Sequence, residues 1–305
     1  MKKNVLIIGY GSIGQRHYKI LKKLNFFKEI FVLSRRKIGT INKKNLIKNI
    51  KDVKYKNIGY VIIASRTEDH KFYIKEIERN FKNLIVIVEK PLLEKFKNII
   101  AKKNQYHVGY NLRFHPIIQY LKEYLRKKKI YFVEIKCTSF LPKWRKNINY
   151  IKSNSSGIGG GALLELSHEI DYAQYIFGEI LKINFNSVAK ISNLKIKKDD
   201  NVIVFGKSQK SNFSIYLNIF SHYLERKIII YTKNLTILSD LINNKILFYK
   251  NHKIIKKKIF NVEYNDTYTK QYKNIFLRKK ISNFKKDLKF MKLIDNLRNN
   301  EKKNK

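Results

Sequence analysis

The chain has 305 residues, 44% of them hydrophobic, so the sequence predicts a folded protein of about two domains rather than a disordered chain. A net charge of +43 is in general typical of proteins that bind nucleic acids or anionic membranes. Here, however, the lysines are spread along the whole chain, and Asn, Ile, Tyr and Phe are also abundant, which indicates an AT-rich coding sequence and a solvated basic surface. We therefore expect no specific nucleic acid and no membrane partner. A single cysteine, Cys137, allows no intramolecular disulfide and fits a cytoplasmic protein, and no apolar run reaches the ~18 residues of a membrane helix.

The first predicted element is a buried strand that leads directly into a glycine-rich turn. Residues 5–8 are all apolar, and three glycines follow in the spacing GxGxxG before a helical pattern begins. This arrangement permits a tight turn, close approach to a pyrophosphate and binding of phosphates at the N-terminus of the helix. The residues predicted to form this dinucleotide site are Gly9, Gly11, Ser12, Ile13 and Gly14. The alternative is a glycine turn without a ligand.

A second strand, residues 30–33, ends in Ser34, Arg35 and Arg36. An NAD-binding unit usually carries Asp or Glu about 20 residues beyond the glycines, where it holds the ribose 2′-hydroxyl. A hydroxyl and two guanidinium groups suit a 2′-phosphate instead. We therefore predict NADP as the cofactor, with NAD as the alternative; two solvated arginines would explain the same residues without a ligand.

Two further strands, residues 60–64 and 84–88, end in polar segments that meet at one edge of the predicted parallel sheet. Ligands bind at the carboxyl ends of the strands in such sheets. Pro91 restricts Lys90 to an extended conformation, which places this lysine at that edge. The additional residues predicted to contact the cofactor are Ala64, Ser65, Thr67, His70, Glu89 and Lys90.

The second half of the chain has a different pattern. A helix over residues 162–177 is followed by several strand-like runs with short polar turns, which is typical of an antiparallel sheet. The predicted fold class is therefore α/β: a Rossmann dinucleotide-binding domain over residues 1–120, followed by an α+β domain with a largely antiparallel open sheet over residues 121–305.

Two groups of residues have the chemistry of a catalytic site. Glu165, His168 and Asp171 are spaced three apart, so a continuous helix would place them on one face, where a carboxylate could orient the imidazole as an acid/base. A helical salt-bridge face with a half-buried histidine is the alternative. Lys90 would lie near the nicotinamide, where it could help to move a hydroxyl proton, although it could equally be a surface lysine. One cysteine and scattered histidines give no zinc spacing, so we predict no metal.

Five segments together resemble the glucose–fructose oxidoreductase, inositol dehydrogenase and MocA (Gfo/Idh/MocA) family. They are GYGSIGQRH from Gly9, ASRTEDH from Ala64, EKP from Glu89, GYNLRFHP from Gly109 and GGGALLELSHEIDYAQYIFG from Gly159. They occur in the order that the family has. The resemblance implies NAD(P)-dependent oxidation or reduction of a hydroxyl on a sugar, cyclitol or sugar nucleotide, and homo-oligomers that form through the C-terminal sheet.

The resemblance also implies roles for particular residues. His168 corresponds to the family's acid/base, and Lys90 to the lysine that binds and polarises the reacting oxygen. The family's aspartate four residues before the histidine is Leu164 here, and Glu165 is the nearest upstream acid, whereas Asp171 matches the downstream aspartate. The combination of LRFHP, WR and ELSHEID resembles a subgroup linked to surface-glycan biosynthesis. The predicted substrate-binding residues are Tyr110, Arg113, Trp144, Arg145 and Tyr150. A non-catalytic dinucleotide-binding sensor or scaffold on the same fold is the alternative function.

Overall fold

The computed structural model describes residues 3–35, 38–145, 148–277 and 283–299. The chain forms two compact units, one of residues 1–110 and 268–292 and the other of residues 111–267 and 293–305. The sequence pattern indicated one division near residue 120 and did not place residues 268–292 with the N-terminal unit. In the described parts of the chain, no helix combines the length and the apolar character that a membrane crossing requires.

The first unit contains a six-stranded sheet in which every neighbouring pair is parallel, in the order β3-β2-β1-β4-β5-β6. The strands are β1 (Asn4–Ile8), β2 (Ile30–Leu33), β3 (Leu46–Ile47), β4 (Ile58–Ile63), β5 (Ile85–Val88) and β6 (Gln105–Val108). The helices α1 (Ser12–Leu24) and α2 (Thr67–Asn80) follow β1 and β4. The predicted Rossmann sheet is confirmed. Between β2 and β4 the chain also forms a 3₁₀ helix at Ile50–Tyr55, which the Asn49 side chain caps by accepting from the Lys51 amide.

The central strands of this sheet consist of apolar residues because both of their faces are covered. Val5, Ile7, Ile62 and Ile87 are fully buried, as expected for a parallel sheet between helices. All four strands β1, β2, β4 and β5 run in one direction, so their carboxyl ends share one edge. The residues that immediately follow them at that edge are Gly9, Ser34, Ala64 and Glu89.

The second unit contains an eight-stranded sheet in the order β14-β13-β12-β11-β7-β10-β9-β8. The strands are β7 (Ile130–Phe140), β8 (Ile180–Ala189), β9 (Asn201–Ser208), β10 (Asn212–Asn218), β11 (Phe220–Thr232), β12 (Thr236–Asp240), β13 (Lys245–Lys250) and β14 (Lys253–Ile259). Only the pair β7–β10 is parallel, so the predicted largely antiparallel sheet is confirmed. The remaining helices are α3 (Pro116–Tyr124), α4 (Ala162–Glu165), α5 (Ser167–Phe177), α6 (Asp266–Tyr272) and α7 (Phe284–Asn299), and a π-helical turn at Lys273–Leu277 follows α6.

The two faces of this sheet differ in burial. Alternate residues such as Val133, Ile215 and Ile228 are buried, with at most 2% of each exposed. The residues between them point to the opposite face. The strand register aligns one row of that second face, which runs through Phe205, Ser214, Glu134, Ile229, Leu238 and Leu247. Every residue of this row is at least partly exposed, and Phe205 is 45% exposed. We call these six residues the open-face row.

Candidate active site

The glycine turn after β1 has no room for a side chain at two of its glycines and has room for one at the third. Gly9 has a φ of +95°, and a Cβ there would lie 2.7 Å from the Ala64 carbonyl oxygen. A Cβ on Gly14 would collide with the Gly9 carbonyl oxygen, whereas a Cβ on Gly11 would meet no atom of the described residues within 4 Å. Gly9 and Gly14 therefore serve the turn itself, and Gly11 leaves space beside the backbone.

The start of α1 has the character of an anion site. Gly11 is the N-cap and provides no side chain, and the first turn, which includes the exposed Ser12 and the half-buried Ile13, contains no acidic residue. The amide groups of this turn and the helix dipole are therefore not offset by a carboxylate from the helix itself. Together with the space at Gly11, this arrangement fits a pyrophosphate.

The end of β2 carries the residues that were predicted to select the cofactor. Ser34 is buried, and its amide donates to the Ile47 carbonyl at 3.0 Å. Arg35 is exposed to solvent. Arg36 lies outside the described residues. At this strand end, Ser34 and Arg35 offer a hydroxyl and a guanidinium group in place of the acidic residue that suits a ribose 2′-hydroxyl.

The end of β5 presents Lys90 next to a buried carboxylate. Lys90 is half-buried, and the bond from Lys90 to Pro91 is cis. The preceding Glu89 is buried, and its Oε1 lies 3.0 Å from His17 Nε2. His17 Nδ1 is hydrogen-bonded to the Tyr272 hydroxyl. Glu89, predicted as a cofactor residue, is thus placed by the structure against His17 in the interior of the first unit.

His70, the other histidine at this edge, links two loops. Its Nδ1 lies 3.2 Å from the carbonyl oxygens of both Pro91 and Leu92, and its Nε2 lies 3.3 Å from the Ser65 carbonyl oxygen. Burial is the main influence on this ring and lowers the pKa of His70, so the neutral form is favoured. A neutral imidazole carries one N–H and donates from one nitrogen at a time. Of the remaining predicted residues at this edge, Ala64 is buried and Thr67 is the first residue of α2.

The predicted continuous helix over residues 162–177 is interrupted, and this corrects one part of the catalytic prediction. The helix α4 ends at Glu165, Leu166 has φ −101° and ψ 22°, and α5 begins at Ser167. The Ser167 hydroxyl donates to the Leu164 carbonyl at 2.9 Å, and such side-chain bonds compete with the helical ladder. Glu165 and His168 therefore do not share one regular helix, whereas His168 and Asp171 both lie on α5.

Two buried ion pairs flank His168 on α5. Arg113 donates two hydrogen bonds to Asp171, at 2.8 and 2.5 Å, and the Asp171 side chain is only 2% exposed. Burial raises the pKa of Asp171 and the charge of Arg113 opposes that rise. The fully buried Glu169 lies 2.8 Å from Arg226 Nε on β11. The two arginine side chains are 27% and 25% exposed, so only the carboxylates are fully buried. Removing either arginine would leave a buried carboxylate without its partner, which is destabilising, so both pairs hold the helix that carries His168.

These pairs alter the interpretation of several predicted residues. Arg113 was predicted to bind substrate and Asp171 to assist catalysis, and the structure joins them to each other. Glu169 and Arg226 were not predicted at all. Charged residues are mostly exposed in proteins, so the sequence gives no reason to expect a glutamate in a helix and an arginine in a strand to be a buried pair.

Three of the predicted substrate residues line one pocket in the second unit. Trp144, Arg145 and Tyr150 surround it together with neighbouring side chains. The Tyr150 hydroxyl accepts from the Lys195 amide at 3.2 Å, which fixes the ring. Tyr110 is not part of this pocket: it belongs to the first unit, is 2% exposed and packs edge-on against Phe290.

Residues 3–111 match the model of an oxidoreductase family with an NAD-binding Rossmann fold, which is the Gfo/Idh/MocA family. The resemblance predicted from the five segments is thereby confirmed over this part of the chain. No curated protein matches the sequence.

Several solved structures share the fold of the whole chain. UDP-N-acetylglucosamine 3-dehydrogenase GnnA from Acidithiobacillus ferrooxidans is 12% identical with a TM-score of 0.72, covering 98% of this chain and 97% of that one. The WlbA dehydrogenase from Bordetella pertussis, in complex with NADH and UDP-GlcNAcA, is 14% identical with a TM-score of 0.71, covering 97% and 95%. A super-repressor mutant of Gal80p from Saccharomyces cerevisiae is 17% identical with a TM-score of 0.78, covering 97% and 95%.

Proposed function

From the match of residues 3–111 to this NAD-binding oxidoreductase family, we propose that the chain is an NADP-dependent dehydrogenase or reductase. Its substrate would be a hydroxyl or keto carbon of a sugar, cyclitol or sugar nucleotide. The observation that carries the proposal is the glycine turn. It has no room for a side chain at Gly9 and Gly14, but it has room at Gly11, beside the start of α1, which no side chain caps.

The residues of the first unit fit a dinucleotide. The amides at the start of α1 would bind the pyrophosphate, and Arg35, with Arg36, would bind a 2′-phosphate. The loops that follow β4 and β5, at residues 64–67 and 89–91, would contact the nicotinamide half. When bound, the cofactor supplies the hydride acceptor or donor.

The proton of the substrate hydroxyl is the part of the reaction that this chain's own side chains would handle. In the oxidative direction the C–H bond loses a hydride and the O–H bond loses a proton, and His168 would accept that proton. The Lys90 ammonium would donate a hydrogen bond to a substrate oxygen and stabilise the negative charge that develops on it. Asp171 would contribute by fixing α5 through Arg113, and Glu165 remains a predicted catalytic carboxylate.

We propose a sugar nucleotide as the substrate class. An indole and a phenol ring around one pocket suit the apolar face of a sugar, and Arg145 suits an anionic group. Of the proteins with the same fold, GnnA is named as a UDP-N-acetylglucosamine dehydrogenase, and WlbA was solved in complex with UDP-GlcNAcA. The test is a panel of UDP-sugars and free sugars with NADP and NAD, monitored by the appearance of the reduced cofactor. Turnover of a UDP-sugar supports the proposal, and turnover of free cyclitols alone would contradict this substrate class.

Replacing Arg35 by alanine should weaken NADPH binding by about tenfold or more, because a hydrogen bond to a charged phosphate contributes about 1.5–3 kcal/mol. NADH lacks that phosphate, so its dissociation constant should not change. Parallel fluorescence titrations with both reduced cofactors measure the two constants. Arg79→Ala, which removes an exposed arginine from α2, is the matched control. An equal loss for both cofactors would show that Arg35 does not select NADP.

We also propose that the chain forms homo-oligomers through the open-face row. Replacing Phe205, at 45% exposure, by aspartate should shift the protein to monomers, because an unpaired carboxylate would be buried in the interface. Light scattering coupled to size-exclusion chromatography measures the mass. The control is Phe72→Asp on α2, where a phenylalanine is 57% exposed in the other unit. An unchanged mass for both variants would place the interface elsewhere or exclude it.

A cytoplasmic location fits the single thiol of the chain. Cys137 is a free cysteine buried in the second unit, and burial raises its pKa to about 12. A thiol with so high a pKa remains protonated and unreactive at neutral pH. We therefore propose a structural role for Cys137 and the reducing cytoplasm as the site of activity.

The second candidate function is a non-catalytic dinucleotide-binding sensor. The observation that favours it is the similarity in fold to a protein whose super-repressor mutant has been solved. Saturable cofactor binding without turnover of any substrate in the panel would favour the sensor over the dehydrogenase.

A further inference from the structure

The loop that carries Lys90 is anchored on both sides of that residue. Before it, the Glu89 carboxylate lies 3.0 Å from His17 Nε2. After it, the carbonyl oxygens of Pro91 and Leu92 each lie 3.2 Å from His70 Nδ1. Two buried histidines, remote from each other in sequence, therefore contact the residues that immediately flank Lys90.

The first anchor is a buried chain of polar groups. His17 is fully buried and the Glu89 side chain is 9% exposed, so a carboxylate at this place needs a donor. Since a carboxylate only accepts, a hydrogen bond to Glu89 from this ring would require the N–H on Nε2, which lies 3.0 Å from Glu89 Oε1. His17 Nδ1 is hydrogen-bonded to the Tyr272 hydroxyl, which continues the chain of polar groups.

The surroundings of this chain restrict its movement. A Cβ on Gly109 would lie 2.9 Å from Glu89 Oε1, so the glycine leaves just the space that the carboxylate occupies. The Tyr268 ring packs edge-on against His17 at 5.5 Å between centroids. The Arg16 guanidinium lies 4.5 Å from the centre of the same tyrosine ring.

Both histidines lie on helices that start at the proposed cofactor edge. His17 is on α1, which begins at the glycine turn, and His70 is on α2, whose preceding loop contains Ser65. His70 also contacts the Ser65 carbonyl oxygen through Nε2, at 3.3 Å. The elements that would hold the dinucleotide are therefore the same elements that fix the Lys90 loop.

We infer that His17 and His70 are positioning residues that fix the loop of residues 89–92 and thereby set the place of the Lys90 amine. The inference rests on the role of Lys90 in the proposed function. Neither histidine contacts the reacting atoms in this account. The Glu89 side chain likewise serves to hold the loop.

The test measures the accessibility of Lys90 in the full chain without cofactor or substrate. Lysines are acylated briefly with acetic anhydride, and the labelling rate of each is determined by peptide mass spectrometry. His17→Leu removes the donor to Glu89, and His70→Leu removes the contact with Pro91 and Leu92. Each should raise the labelling rate of Lys90 by about threefold or more, because a released loop samples open conformations, while lysines on α1 and in the second unit keep their rates.

Conservative variants separate positioning from general stability. His17→Gln keeps an N–H near the place of Nε2, and His70→Asn keeps one near the place of Nδ1, so both should restore the wild-type labelling rate of Lys90. Tyr106→Phe is the matched control, because it removes another buried hydroxyl of the first unit, one that donates to the Ile74 carbonyl at 3.4 Å. If the leucine variants fail to fold, Tyr272→Phe takes their place and should also raise the rate.

Two results would overturn the inference: an unchanged rate at Lys90, or an equal rise at all lysines, in the variants that fold. Because labelling needs no cofactor, a positive result stands even if the dehydrogenase proposal fails. With a substrate in hand, His17→Leu should lower kcat and leave the cofactor dissociation constant unchanged, a split that a general loss of stability would not produce.

Discussion

Replacing Lys90 by alanine is expected to lower kcat by about 10²-fold or more, with NADPH affinity within about twofold of the wild type. The reason is that the ammonium group would act mainly on the oxygen that gains charge in the transition state, and the bound cofactor changes little without it. Steady-state rates with the UDP-sugar found by the substrate panel, together with a cofactor titration, measure both quantities.

The control for this variant is Lys95→Ala, since Lys95 is an exposed lysine five residues further along the same segment. It should have the wild-type rate. His168→Asn should also lose about 10²-fold in kcat, because it removes the proposed proton acceptor and keeps a similar shape. Full activity in Lys90→Ala would show that a different residue polarises the substrate.

Alanine at Gly14 and alanine at Gly11 are expected to have opposite effects on fold and on cofactor binding. A Cβ on Gly14 would overlap the Gly9 backbone oxygen, so the turn must shift. Overpacking of this kind costs about 1–3 kcal/mol or more, and Gly14→Ala should lower the free energy of unfolding by at least that amount. Urea denaturation followed by circular dichroism measures it.

Gly11→Ala should keep the free energy of unfolding within about 1 kcal/mol of the wild type, because no atom of the described residues lies within 4 Å of the new methyl group. The remaining cost is that of an alanine N-cap, which is less favourable than a glycine N-cap by an amount of typically up to about 1 kcal/mol. Its NADPH affinity should fall by about tenfold or more, because the methyl group would occupy the space proposed for the pyrophosphate. A variant that is stable and binds NADPH normally would contradict the proposed position of the cofactor.

The sequence pattern predicted the parts of the fold that depend on local signals. The strands β1, β4 and β5 are continuous apolar runs that end in glycine or polar residues, and both the parallel sheet and the glycine turn follow from them. The antiparallel sheet of the second unit was likewise predicted from short strands joined by short turns.

Contacts between distant segments could not be predicted in the same way. His17 and Tyr272 are 255 positions apart, and the sequence around neither residue predicts a contact with the other. The pairing of Arg113 with Asp171 depends on how the 3₁₀ helix at Asn111–Phe114 lies against α5. The periodicity of the sequence does not predict that packing. The break at Leu166 depends on one hydroxyl and the loop before it, and these override a pattern that favours a continuous helix.

The proposed dehydrogenase and the proposed sensor both require the glycine turn of this chain to bind a nicotinamide dinucleotide. An equilibrium titration of the purified wild-type protein with NADPH and with NADH, followed by the fluorescence of the reduced nicotinamide, tests it most directly. We predict saturable binding of both at one site per chain, with NADPH the tighter. Absence of binding by either cofactor would contradict the account, for the dehydrogenase and for the sensor alike.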